Sequence, residues 1–279
     1  MCSPLKRKSQ STTTKYLFSV LSIIIVLAVW ELISILGIVP NFMLPSPVYV
    51  VKAFVSDFPL LMSHAMSTML ETIIGLVIGI AIGFFTALLM DRFLWLRRLL
   101  YPRIILTQTI PTVAIAPLLV LWFGYEMLPK IILIVIVVFF PITVSLLDGF
   151  SSADEDTIRL LRSMGANESQ IFRYVKFPGA LGNFFSSLKI SVSYAVVSAV
   201  IAEWLGGFNG LGVYMTRVKK AYSYDKMFAV ILLISAMSLI LMLLVSLLQK
   251  KSMPWEQRKT ASGSAADSSK LSQKSLRRR

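Results

Sequence analysis

The 279-residue chain has one cysteine, Cys2, one histidine, His64, and only 14 acidic residues. A single cysteine makes no internal disulfide, and with a single histidine it makes no metal-ligand cluster. No Gly-Lys pair occurs in the chain. The phosphate-cradling GxxxxGK[ST] loop is therefore missing, and any ATP that drives this protein binds another chain. The polar segments carry no carboxylate-rich constellation of the kind that would point to a membrane enzyme. Lys and Arg number 28, giving a net charge of +14. No nucleic-acid motif accompanies that excess, and in an apolar chain such charge orients loops and meets anionic lipid. No apolar run precedes Cys2, so a lipoprotein signal is not supported. No small-x-small cleavage site follows the first apolar run, so the basic stretch with Lys6, Arg7, Lys8 and Lys15 flanks a retained span rather than a signal peptide.

Apolar sequence is abundant: 56% of residues are hydrophobic and mean hydropathy is +0.75. Soluble domains are rarely so apolar, and several runs approach the roughly 20 residues a spanning helix needs. The pattern predicts an all-α polytopic membrane protein with about six spans. They are placed at about residues 16–36, 68–90, 104–123, 130–150, 184–205 and 227–248. Residues 1–15 form a basic N-terminus, 16–250 the transmembrane domain and 251–279 a Ser- and Lys/Arg-rich tail with too little apolar surface to fold alone. The N-terminus, 91–103, 151–189 and the tail hold 22 Lys and Arg against 6 in the other connections. That asymmetry predicts both termini on the cytoplasmic side. His64 then falls in an outer loop and reads as a solvated residue, and Trp30, Trp95, Trp122, Trp204 and Trp255 fall near span ends, as an aromatic belt would.

The cytoplasmic stretch at 151–182, which includes RSMGANESQIFRYVKFPGAL from Arg162, is ordered-looking for a loop. Ser152 and Glu155 have capping-box spacing, which predicts a helix from about Ala153. Ile158, Leu161 and Met164 make an apolar stripe, and Gly165 stops the helix. Asn167 with Gln170 starts a second helix whose apolar face is Ile171, Phe172 and Val175, with Arg173 and Lys176 pointing elsewhere. Pro178 is expected to end it. Two short amphipathic helices at a glycine corner fit either a lipid surface or a groove on a cytoplasmic partner, and an exposed Phe172 favours the groove.

The stretch resembles the coupling loop of the permeases of binding-protein-dependent ABC importers. That family reads Glu-Ala-Ala, three residues, Gly, then a run ending in an apolar-Pro pair. Here Arg159-Leu160-Leu161 replaces Glu-Ala-Ala, while Gly165-Ala166, Ile171-Phe172 and Phe177-Pro178 match. QTIPTVAIAPLLVLWFGY at 108–125 and AEWLGGFNGLGVYM at 202–215 are similar to the sulfonate, nitrate and thiamine-precursor branch, most of all to hydroxymethylpyrimidine-type permeases. The resemblance implies the type I permease fold and a non-enzymatic transport subunit in the cell membrane. It implies a separate ATPase that binds ATP and Mg, an extracytoplasmic solute-binding protein and a homodimer. It places ATPase docking at Arg159, Leu161, Met164, Gly165, Ala166, Ile171, Phe172 and Pro178. The first candidate solute is a pyrimidine precursor of thiamine, with a sulfonate or nitrate-like anion next. An ion-coupled secondary transporter is the alternative from another class, and it leaves the docking insert unexplained.

Other residues bear on the path. Gly75, Gly79 and Gly83 share one face of the second span and permit close helix approach, within the chain or at a gating interface. Pro111 and Pro117 interrupt the third span and Pro141 the fourth, either as in helices that line a translocation path or as plain kinks for packing. Glu71 and Glu203 are ionisable groups within spans, near outer ends, and are candidates for the translocation path or gate, or else reach the interface or make interhelix hydrogen bonds. Gly206, Gly207, Gly210 and Gly212 form an outer loop that can turn tightly. The resemblance implies that this loop, with Gly210 and Gly212, is part of the outer gate where a loaded binding protein docks.

Overall fold

A computed structural model describes residues 12–37, 39–40 and 43–254, and all regular structure among them is helical. Cys2, the basic residues before 12 and the tail from Trp255 lie outside the described residues. The chain divides into two compact units, residues 1–62 with 214–232 and residues 63–213 with 233–279.

The first unit holds α1 (Thr12–Ile35), α2 (Pro47–Ser56), the first turn of α3 (Phe58–Arg92), most of α10 (Leu211–Lys220) and the start of α11 (Tyr224–Ser252). Trp30 Nε1 donates to the Pro45 carbonyl at 3.1 Å, and Ser46 Oγ donates to Glu31 at 2.6 Å. Ser46 also N-caps α2 by accepting from the Val48 amide, with Pro47 in the first turn, where its missing N–H costs nothing. Asp57 closes α2 and receives Lys226 Nζ and the Tyr214 hydroxyl, each at 2.7 Å. The Lys226 hydrogen bond, then that of Tyr214, holds the Asp57 carboxyl below its ordinary range. Burial, reinforced by Asp57, pushes the Tyr214 phenol up.

The second unit contains most of α3, then α4 (Leu94–Thr107), α5 (Thr112–Phe123), α6 (Met127–Ser151), α7 (Glu155–Ser163), α8 (Glu168–Ile171), a π-helical turn at Phe172–Lys176, α9 (Phe177–Leu205) and the rest of α11. Its core joins α3, α4, α6, α9 and α11 through Ala87, Ile104, Val138, Leu147, Val192 and Val245. The glycine stripe of α3 belongs to this packing: a Cβ on Gly75 would lie 2.6 Å from Ile134 Cγ2, and one on Gly79 would lie 2.9 Å from Val138 Cγ1. Within the chain, the stripe is the seam between α3 and α6.

Among the described residues, four helices are long and apolar enough to cross a bilayer: α3, α6, the continuous stretch Glu168–Leu205 and α11. A fifth span is counted if α4 and α5 are one broken helix, bent by 97°. The first expected span falls on α1. Two expectations change. Residues 91–103 were expected as a connecting loop, but α3 runs to Arg92 and α4 begins at Leu94. Arg and Leu are good helix formers, and arginines extend their charge away from the helix they build. The break in the third span comes instead at Gln108–Pro111, where Pro111 holds the residue before it away from helical geometry. Pro117 and Pro141 sit inside intact helices.

Candidate functional site

At one end of the second unit, α6 leads into the short helices of the insert. Asp154, not Ser152, is the N-cap of α7: its carboxylate accepts from the Asp156 and Thr157 amides and from the Thr157 hydroxyl. These bonds, that of the hydroxyl first, hold the Asp154 carboxyl below its ordinary range. Ser152 instead closes α6 and donates to the Gly149 carbonyl. A carboxylate cap outcompetes a hydroxyl here because its charge also meets the positive end of the helix.

Gly165 ends α7 with φ +85°, and the Ala166 amide bonds back to the Leu161 carbonyl. That is the left-handed stop for which glycine is suited. Asn167 and Gln170 then form the expected capping box, each side chain accepting from the other's backbone amide. Arg162 reaches across the corner to Glu168 at 2.8 Å. Pro178 does not end the second helix. The chain continues from Glu168 to Leu205, and the π turn just before Pro178 moves the backbone between two registers where a missing donor is tolerated.

The exposed apolar residues of the insert are Leu160, Met164 and Tyr174, at 61%, 74% and 69% exposure. Leu161, Met164, Gly165, Ala166, Gln170 and Tyr174 line an open depression of about 270 Å³. Arg159 is exposed and pairs with Glu155. Ile171 is buried, Pro178 is half-buried, and Phe172 is half-buried against Phe150 and Phe177 and is not the exposed residue the sequence suggested. The exposure of Leu160 and Tyr174 was not read from the sequence, where each is an apolar residue off the main stripe.

At the opposite end lies a buried polar cluster. His64, Thr68 and Glu71 fall at i, i+4 and i+7 on α3, and all three are buried. His64 is thus a helix residue and not a solvated loop residue. Its Nδ1 accepts from the Gly210 amide at 3.0 Å. Thr68 Oγ1 accepts from the Leu211 amide at 2.9 Å and donates to Glu203 Oε1 at 2.8 Å. Glu203 Oε2 accepts from the Gly212 amide at 2.6 Å. Lys130 Nζ binds Glu71 Oε1 at 2.6 Å and reaches the Asn209 carbonyl.

The glycines make this possible. Gly210 has φ +123°, and a Cβ on it would run into the Glu203 carboxyl, while one on Gly212 would run into the Val200 carbonyl and the Glu203 Cβ. Three helices therefore pin one turn of backbone through buried side chains. The structure brings Glu71, Glu203, Gly210 and Gly212 together, while Pro111 and Pro117 lie exposed on the broken helix, outside the cluster. Thr68 and Lys130 were not singled out from the sequence, and His64 was read there as a solvated loop residue.

Residues 75–253 match the family of binding-protein-dependent transport system inner membrane components. The chain is 34% identical over 217 residues, 78% of itself, to 89% of a probable ABC transporter permease protein of Haemophilus influenzae. It is 33% identical over 91% of itself to the whole of ThiX, a formylaminopyrimidine transport permease protein of Halalkalibacterium halodurans. A chain of the MetNI methionine ABC transporter, solved in inward-facing conformations, superposes with a TM-score of 0.59 at 19% identity, covering 71% of this chain and 97% of that one. A helical bundle with an exposed helix–glycine–helix insert, and a family match across that whole region, lead to one assignment: the chain belongs to the binding-protein-dependent transport system inner membrane component family and is a membrane-embedded, non-catalytic permease subunit of an ABC importer.

Proposed function

We propose that the chain carries a pyrimidine precursor of thiamine into the cell. Similarity to a formylaminopyrimidine permease along 91% of the chain carries this reading. Two copies form the path, both termini face the cytoplasm, and an extracytoplasmic binding protein delivers the solute. A separate ATPase holds ATP and Mg and docks at the insert through Leu160, Leu161, Met164 and the corner at Gly165. Closure of the ATPases on ATP moves the inserts and swings the spans from inward-open to outward-open. The pinned turn at 206–212, with Glu71 and Glu203 beneath it, forms part of the outer gate. The test is uptake by the chain reconstituted with its ATPase and binding protein. ATP-dependent accumulation of formylaminopyrimidine, with no accumulation of taurine or nitrate, is expected. Preference for an anion would move the solute, and uptake without ATP would overturn the importer reading.

A further inference from the structure

The helix Glu168–Leu205 has a weak point where it leaves the insert. The turn at Phe172–Lys176 is the one π-helical segment among the described residues, and Pro178 follows it without an N–H to give. Both features thin the hydrogen-bond ladder at the same place. A stroke delivered to α7 and α8 would bend the chain there instead of moving α9, unless side chains brace the turn.

Such a brace is present. Lys176 Nζ, on the π turn, binds both oxygens of Asp91 at 2.9 Å, and the two side chains are only 23% and 16% exposed. Asp91 is on the last turn of α3, 85 residues away in sequence. On the other side, the Phe172 ring meets Phe150 of α6 at 5.2 Å and Phe177 at 6.1 Å, and Phe177 meets Phe84 of α3 at 6.2 Å. A cavity of about 750 Å³ lies beside the pair, lined by Leu88, Arg92, Glu168 and Phe172 as well as Asp91 and Lys176. The insert is thus tied to α3 by a charge pair and to α6 by an aromatic contact, while its outer apolar face stays free.

We propose that Asp91 and Lys176 are positioning residues for transport: they brace the π turn so that movement of the docked insert passes to α3 and α9. The inference rests on the reading of the insert as the ATPase dock. It separates two roles, with Leu160 and Met164 capturing the ATPase and Asp91 and Lys176 transmitting its motion.

The experiment uses the full complex in proteoliposomes and reads three quantities: ATPase co-purification, ATP hydrolysis, and solute taken up per ATP hydrolysed. Asp91→Asn and Lys176→Met should retain the ATPase and its hydrolysis, while uptake per ATP falls about tenfold or more, the scale of a typical inter-site coupling. Lys176→Arg, which keeps the charge, and the exchange Asp91→Lys with Lys176→Asp should recover coupling. Wild-type uptake per ATP in both single variants would overturn the proposal, as would loss of ATPase capture in them or failure of the exchange to rescue. Leu160→Asp tests the underlying reading separately. Normal ATPase capture by that variant would remove the dock, whatever the Asp91 variants do.

Discussion

At the scale of single residues, Lys130 decides most. It is 4% exposed, and its ammonium faces Glu71, also buried, whose second oxygen finds no partner among the described residues. A buried pair is not itself a large source of stability, because desolvation opposes attraction, but removing one member leaves a bare charge in an apolar setting. Lys130→Met should therefore destabilise the folded chain by about 3–5 kcal/mol, seen as a lower Tm in detergent. Lys130→Met combined with Glu71→Leu should recover most of the loss. Equal damage in the single and double variants would show that the pair matters for more than charge balance. Asp57 gives a pH-dependent counterpart. Its carboxyl is held low by Lys226 and Tyr214, so it contributes stability at pH values above the ordinary carboxylate pKa of about 4. That contribution is lost as pH falls through the lower, folded value. Asp57→Asn should lower Tm at pH 7 and flatten its acid dependence below about pH 4. An unchanged acid limb would contradict this. These residues were only partly legible in sequence. Glu71 and Glu203 stood out because ionisable groups within spans are costly. His64 did not, because the span was started at Thr68 and the preceding turn of α3 was assigned to a loop.

At the scale of elements, local signals were read well where they were chemical and poorly where they were geometric. Asn167 with Gln170, and Gly165 at the corner, produce the predicted boundaries because each supplies a specific bond or dihedral. The π turn and the passage of helix through Pro178 were not legible, since neighbouring helices decide them, whereas the break in the third span was marked by Pro111, though not its 97° angle. Gly165 has open space around its Cα, so its requirement is backbone conformation alone. Gly165→Ala should cost about 1–2 kcal/mol of local stability, the penalty of a left-handed non-glycine residue, and raise amide exchange across 155–171. Unchanged exchange would mean the corner tolerates another geometry. Gly79 is the opposite case, limited by space and not by dihedral: Val138 lies where a Cβ would go. Gly79→Leu should separate α3 from α6 and cost about 1–3 kcal/mol, read as a fall in Tm with the insert still able to capture the ATPase. A neutral substitution would show the seam to be looser than its distances imply.

At the scale of the molecule, α3 carries the polar cluster at Glu71 and the brace at Asp91, 20 residues apart on one helix. At 1.5 Å per residue that is about 30 Å, close to the thickness of a bilayer's hydrocarbon core. On the proposed reading, the pinned turn and the insert therefore belong to opposite membrane faces. Which face is which rests on the charge asymmetry of the sequence, 22 Lys and Arg against 6. Two exposed positions report the orientation directly, Met164 on the insert and Phe208 on the pinned turn, at 74% and 75% exposure. With Cys2→Ser removing the single native thiol, Met164→Cys should react with a membrane-impermeant maleimide only when the cytoplasmic face is open, in inverted vesicles. Phe208→Cys should react in intact cells. The reverse pattern would invert the chain and put the insert out of reach of any ATPase. Labelling of both sites from one side would mean that α3 does not cross the bilayer between its two polar ends.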